Sequence, residues 1–208
     1  LDLEDKRRFA PATQRNRDPI LSVLQRILPK SGTILEIASG TGEHAVFFAP
    51  ALRPCIWQPS DPDPILRASI LAWKEVSPSD YLRDPLDLDV CKPQWSIEVA
   101  PLDPPVSAVV NINMIHISPW KACLGLVAGA SRILPSEGIL YLYGPFRRQG
   151  QHTAVSNAEF DHSLRIQNPA WGVRDLESVQ EVARAEGFIC QEVVSMPANN
   201  LSVIFKRL

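Results

Sequence analysis

The 208-residue sequence predicts an α/β fold, in which a mostly parallel sheet of seven strands is flanked by helices and ends in an antiparallel β-hairpin. Three observations carry this. Strand-like and helical segments alternate along the chain. A buried-looking strand, Thr33 to Ala38, runs into the turn Ser39-Gly40-Thr41-Gly42 and then a helix. Finally, the strands Phe188 to Val194 and Leu201 to Phe205 are joined by Met196-Pro197-Ala198-Asn199-Asn200, a joint too short for a parallel crossover.

The elements follow in order. Asp18-Pro19 has the form of a helix start, with Ile20, Leu24, Ile27 and Leu28 on one face before Pro29. After the glycine turn, a helix is expected from Glu43 to Ala51, and Cys55 to Gln58 is the second strand. Asp63-Pro64 caps a third helix whose inner side carries Ile65, Leu66, Ser69, Ile70, Ala72 and Trp73. A short third strand ends near Pro85-Leu86-Asp87-Leu88, and Val106 to Ile112 is the fourth. Helical spacing covers Ala122 to Leu134, and Gly138 to Tyr143 is the fifth strand. Ser156-Asn157-Ala158-Glu159 has the form of a capping box. Asp175 caps a last helix carrying Leu176, Val179, Val182 and Ala183, stopped by Gly187. With no repeats and no low-complexity linker, residues 1–208 are expected to be one domain.

Hydrophobic residues make up 45% and charged residues 21%, enough for a sizeable core. A net charge of −2 supplies no field to gather nucleic acid or anionic lipid, so neither is an expected partner. No stretch approaches the roughly 18 apolar residues that span a bilayer. Leu1 to Asp5 shows no basic-then-apolar signal pattern. Cys55, Cys91, Cys123 and Cys190 form no Cys-x-x-Cys pair, so no metal is expected, and four separate thiols point to a reducing cytoplasm. Cys55 and Cys190 lie in apolar stretches where thiols are commonly buried.

The strongest chemical signal is Leu35-Glu36-Ile37-Ala38-Ser39-Gly40-Thr41-Gly42-Glu43-His44. Gly40 and Gly42 lack a Cβ, so the backbone can approach a ligand or take positive φ, and the amides of the turn and helix start can donate to it. Glu36, an acid inside the strand, suits a ligand with a charged ammonium and not a diphosphate. Some twenty residues later, Asp61 can accept from both hydroxyls of a ribose, since Asp63 is taken by the helix cap. At the end of the fourth strand, Asn111 or Asn113 faces the crevice where ligands of open α/β sheets bind. His116, just beyond, is either a general base or a hydrogen-bonded pocket wall.

Together these segments resemble a small family of methyltransferase-like proteins, catalogued mainly as a domain of unknown function, within the class I S-adenosylmethionine-dependent methyltransferases. The resemblance spans nearly the whole chain. It is carried by Phe9 to Ala12 with Arg15-Asn16-Arg17, Leu35 to His44, Trp57 to Asp61, Asn113 to Trp120, Tyr143 to Phe146, Ser156 to Asp161 and Asn168 to Asp175. Ala38 stands where the class I acid-x-Gly-x-Gly-x-Gly signature has its first glycine. The resemblance implies the Rossmann-like methyltransferase fold and a site for S-adenosylmethionine, with S-adenosylhomocysteine as product. It names no substrate. It places Glu36, Ala38, Ser39, Gly40, Gly42, His44, Asp61, Asn113 and Met114 around the cofactor. It further implies adenine recognition by Asp87 or Asp89 with the Leu88 backbone.

Residues 1–17 are expected to form an N-terminal lid, with Arg15, Asn16 and Arg17 preceding the first helix and folding over the methionine carboxylate. Residues 145–174 are expected to be an acceptor-side insertion, whose polar and aromatic mixture suits a small organic molecule. The expected activity is in-line methyl transfer to an O- or N-nucleophile, with His116 as first candidate base and Tyr143, Asp161 and His152 behind it. Two other readings stand beside it. One is a non-catalytic binder of the same cofactor, and the other is a NAD(P)-dependent oxidoreductase, which lacks here its diphosphate turn and a Tyr-x-x-x-Lys site.

Overall fold

A computed structural model describes residues 5–208. The first four residues of the expected lid therefore lie outside the described residues. Six strands form the main sheet: β1 (Thr33–Ile37), β2 (Ile56–Pro59), β3 (Val106–Ile112), β4 (Ile139–Gly144), β8 (Phe188–Met196) and β9 (Asn200–Arg207). Their order is β2-β1-β3-β4-β9-β8. β1 and β2 run parallel, while β9 is antiparallel to both β4 and β8, so the reversed terminal hairpin is present as expected. The chain divides into two compact units, Leu1–Asp89 with Ser96–Val110, and Val90–Trp95 with Asn111–Leu208.

The seventh strand is not there. Residues 81–86 touch β2 only through isolated parallel bridges, Trp57 to Leu82 and Ser60 to Leu86. The cause is two prolines. Trp57 exchanges backbone bonds with Tyr81 (2.7 Å) and Arg83 (3.0 Å), but Pro59 has no N–H to donate onward, and the next bond is Leu86 N to Pro59 O at 3.0 Å. Three residues on one side then answer two on the other, and Pro85 sits in the gap. The Gln58 side-chain amide fills it, donating to Asp84 O (2.7 Å) and Pro59 O (3.0 Å).

In the first unit the opening helix, α1, spans Pro11–Ile27, starting well before Asp18, with Pro11 in its first turn and Pro19 inside it. Arg15, Asn16 and Arg17 are therefore helical residues and do not precede the helix. Thr13, Asn16, Ile20, Val23 and Leu24 are its buried face. Helix α2 (Glu43–Ala51) has the expected bounds, and α3 (Pro64–Val76) is capped by Asp63, whose carboxylate accepts from Ile65 N at 2.8 Å. Its inner side is narrower than expected, because Ser69 and Ile70 are buried while Ile65 is exposed. A single turn, α4 (Ser96–Val99), precedes β3.

The second unit holds α5 (Trp120–Ile133), α6 (Val155–Gln167) and α7 (Leu176–Ala185). Its core gathers Leu126, Val127, Leu140, Tyr141, Val203 and Phe205, all essentially inaccessible. The expected capping box does not form: Ala154 is the N-cap of α6, and Ser156 lies inside the helix. Asp175 is the N-cap of α7 by position, yet its carboxylate accepts from Arg147 Nη2 (2.7 Å) and Gly150 N (3.0 Å) instead of capping. Residues 145–174 contribute α6 and most of a second, small sheet of β5 (Phe146–Arg148), β6 (Gln151–His152) and β7 (Arg174–Asp175). β8 is an exposed edge strand with a register shift between Cys190 and Glu192, and Cys190, expected to be buried, is exposed on it. Among the described residues no helix is long and apolar enough to cross a membrane.

Candidate functional site

The glycine turn of the first unit is over-determined by hydrogen bonds. Ser39 N donates to Ser60 O (2.8 Å), Ser60 N to Ser39 Oγ (3.1 Å) and Ser60 Oγ to Glu36 O (2.7 Å). This lacing places the end of β2 beside the turn, which is how Asp61 arrives there. Asp61 Oδ2 accepts from Gly40 N at 3.0 Å and Oδ1 from Asp63 N at 2.9 Å. Each carboxylate oxygen keeps a second lone pair, so the group still offers two acceptors to a diol. Its burial raises its pKa, with the two amide donors acting against that rise.

The two glycines differ in function. Gly40 (φ +57) has nothing within 4 Å of where a Cβ would lie, so one side of the turn is open to an approaching molecule. Gly42 (φ +93) is the N-cap of α2, and a Cβ there would lie 2.8 Å from Ile70 Cα. Ala38, in the position of the first glycine of the signature, adopts φ +56.

Glu36 is fully buried and accepts from Trp57 Nε1 at 3.0 Å. Burial lifts its pKa from 4.5 to about 7, the donors Trp57 and Ser39 pull it down, and the charge of Asp61 adds to the rise. The linkage sign follows. A carboxyl raised on folding contributes stability that is full below about 4.5 and is lost as pH rises through about 7. Comparing denaturant midpoints of the wild type and Glu36→Gln across that window, the wild type is expected to lose on the order of 3 kcal/mol relative to the variant. Parallel pH curves would refute the assignment. His44 and His116, both held down at about 4, give the opposite slope, with stability lost as pH falls through about 4. Both chains carry these histidines, so they cancel in the difference.

His44 is depressed by burial first and then by the charge of Arg17, and its Nε2 pairs with Asn16 Oδ1 at 2.8 Å. Its ring stacks on Phe48 at 5.3 Å. Asn16 and His44, two expected cofactor residues, therefore meet each other, while Arg15 is exposed on α1 and Arg17 lies over the Phe47 ring at 4.5 Å. Leu88 is buried and Asp87 exposed, its carboxylate 3.4 Å from Arg67 Nη1.

Several participants were missed by sequence reasoning. Arg67 ties Asp61 O and Pro62 O to Asp87. Glu43 Oε2 accepts from Thr41 Oγ1 (2.9 Å) and from Ala10 N (2.6 Å). Ser69 Oγ donates to Thr41 O (2.7 Å) and accepts from Arg8 N (2.8 Å). Residues 8–10 are thus strapped to the same side chains that hold the turn, and Phe9 meets Trp73 edge-on at 5.1 Å. A Glu in the first turn of α2 was the one visible signal, since an acid there is favoured by the helix dipole.

Asn113 and Met114 belong to the second unit. Asn113 follows β3 with φ +57 and donates its N–H to Tyr143 O at 2.9 Å, and Met114 is buried. His116 is 3% exposed, and its Nδ1 has no hydrogen-bond partner. A buried nitrogen without a partner costs about 1–3 kcal/mol unless something supplies one. A Cβ on Gly144 would lie 3.1 Å from that nitrogen, and the Phe160 ring lies 5.6 Å from the imidazole. Burial, and then the charge of Arg174, holds His116 near 4, so it is neutral at pH 7. Tyr143 is buried. The carboxylate of Asp161, a candidate base behind His116, accepts from Val173 N (2.6 Å) and Arg165 Nε (3.0 Å), with His152 Nε2 at 3.5 Å.

Residues 7–207 match the model of the family described as protein of unknown function (DUF938), and the chain belongs to that family. Solved structures share the fold. The S-adenosylmethionine-dependent methyltransferase SibL in its apo form superposes with a TM-score of 0.73 at 16% identity, over 94% of this chain and 55% of that one. Human N-acetylserotonin methyltransferase in complex with SAM gives 0.75 at 14%, over 94% and 52%. An O-methyltransferase family protein from Burkholderia thailandensis gives 0.76 at 14%, over 94% and 57%. The chain spans about half the length of these proteins.

Proposed function

We propose that this DUF938 member, with its fold similar to class I methyltransferases, is an S-adenosylmethionine-dependent methyltransferase acting on a small-molecule O- or N-nucleophile. The observation that carries the reading is the turn: a laced Gly40-Thr41-Gly42 backbone, open beside Gly40, with the Asp61 carboxylate fixed on the Gly40 amide. Those groups fit the cofactor. The open side admits a nucleoside to the backbone, Asp61 retains acceptors for a ribose diol, and buried Glu36 is an acid that an ammonium nearby would ionise.

When bound, the cofactor supplies an electrophilic methyl group on a sulfonium with a good leaving group. The chain's part is alignment and exclusion of water, worth up to roughly 7–11 kcal/mol where geometry is favourable. His116, neutral at pH 7 with an unpartnered Nδ1, can accept a hydrogen bond or a proton from an acceptor O–H or N–H. Its depressed basicity suits orientation of the acceptor more than outright deprotonation. Asp161 acts behind it by holding the Val173 amide. Near-neutral charge favours a small organic acceptor over nucleic acid.

Calorimetry tests the reading. S-adenosylhomocysteine is expected to bind the purified chain while NAD does not, and a panel of phenols, amines and carboxylic acids with labelled S-adenosylmethionine then identifies the acceptor class. Binding of NAD in place of S-adenosylhomocysteine would sink it, and tight binding without transfer to any acceptor would point to a sensor.

A further inference from the structure

We propose that Arg174 is the positioning residue of the acceptor side, clamping the loop that carries Asn113 and His116. The proposal rests on the methyltransferase reading for its functional meaning, but the clamp itself is a matter of geometry. Between β3 and α5 the chain must leave the sheet and expose backbone carbonyls, and four of them in residues 114–118 are taken. Met114 O accepts from Ile117 N (2.9 Å) and Ser118 Oγ (3.0 Å). Ile115 O accepts from Arg174 Nε (3.2 Å), His116 O from Gly172 N (2.9 Å), and Ser118 O from Arg174 Nη2 (2.7 Å). Three of the four are held from one short segment, Gly172 to Arg174.

That segment is itself fixed. Arg174 Nη2 also donates to Ala170 O (2.8 Å), the Val173 amide is bound by Asp161, and Arg174 lies in β7, paired with Phe146 of β5. The guanidinium sits 5.7 Å from the centroid of the Trp120 ring, at the start of α5. Only a planar group with several forked donors can reach Ile115, Ser118 and Ala170 at once, so lysine is no substitute. Gly172 must be glycine for the same packing: with φ +147, a Cβ would lie 2.6 Å from Arg165 Nη2 and 2.8 Å from Asp161 Oδ1.

The consequence is control of His116 through its own backbone. A loop anchored at the carbonyls of 115, 116 and 118 fixes where the imidazole points and keeps it against Phe160 and Gly144. The charged groups around it are Arg174 from β7 and, reached through Gly172, Asp161 and Arg165 of α6 with His152 of β6; Tyr143 precedes Gly144 at the end of β4. The Arg174 charge also disfavours the imidazolium, secondary to burial.

The test uses the full chain and needs no acceptor. Arg174→Lys keeps the stem and the charge but loses the fork, and Arg174→Gln loses both. Both variants are expected to speed hydrogen exchange of the Gly172 amide, whose acceptor is His116 O, by about tenfold or more. Both variants are expected to raise the His116 midpoint, followed by NMR of the labelled imidazole, because a loosened loop relieves its burial, and Arg174→Gln further because it also removes the charge. A merely structural role would lower thermal stability without moving the His116 midpoint in the lysine variant. Wild-type exchange in the lysine variant would overturn the proposal, as would a wild-type His116 midpoint in it. Titrating S-adenosylhomocysteine in parallel keeps the two ideas distinct: failure of the wild type to bind it defeats the methyltransferase reading and leaves the clamp result standing.

Discussion

Gly42→Ala is expected to lower the unfolding free energy by about 3–5 kcal/mol, a large share of the stability of an ordinary domain. Two costs add. The residue sits at φ +93 and ψ −4, where any side chain is strained by about 1–3 kcal/mol. A Cβ would also lie 2.8 Å from Ile70 Cα, and because that atom is backbone, α3 itself must move. Gly40→Ala is the control. Its φ of +57 costs about 1–2 kcal/mol, and its Cβ meets nothing within 4 Å. That variant is expected to fold but to bind S-adenosylhomocysteine more weakly, because the methyl group fills the open side of the turn. Urea denaturation of both variants, with calorimetry on Gly40→Ala, measures this. Equal stability loss in the two would show that the turn does not divide its labour as argued.

Much of this was legible beforehand, and the particular failures explain why the rest was not. The turn, α2 and the reversed final strands announce themselves through local chemistry: glycines where φ is positive, and a joint too short to cross over. The missing seventh strand could not be read from apolar pattern alone, because Pro59 spoils the ladder from the neighbouring strand as Pro85 does from within. Asp18-Pro19 looks like a helix start, yet Pro11 supplies an equally good one, and burial of Thr13 and Asn16 draws the helix back to it. The small sheet uses strands of two and three residues, too short to show a period. At the site, residue types were visible but commitments were not. Asp161 is a candidate base by residue type, yet its carboxylate accepts from Val173 N and Arg165, and nothing in the sequence ties Arg174 to the carbonyls of a loop about 60 residues away that it bonds.

Asp61 offers the sharpest separation of binding from folding. Asp61→Asn keeps the shape and leaves one amide oxygen able to accept from Gly40 N or Asp63 N, but not both. Asp61→Ala leaves both amides without the side chain that now receives them, in a position only 4% exposed. A hydrogen bond to a charged group is worth about 1.5–3 kcal/mol, so losing the carboxylate from a ribose diol should weaken S-adenosylhomocysteine binding roughly 10- to 100-fold per bond lost. The alanine variant should lose binding at least as far and stability as well, while the asparagine variant should lose mainly binding. The pH dependence adds a check. Burial raises the Asp61 pKa, so acidification protonates it sooner than an exposed aspartate, and affinity should fall more steeply on acidification in the wild type than in Asp61→Asn, which keeps only the contribution of Glu36. If Asp61→Asn binds S-adenosylhomocysteine as tightly as the wild type, the carboxylate serves only to fasten the turn, and the ribose must be recognised by other groups.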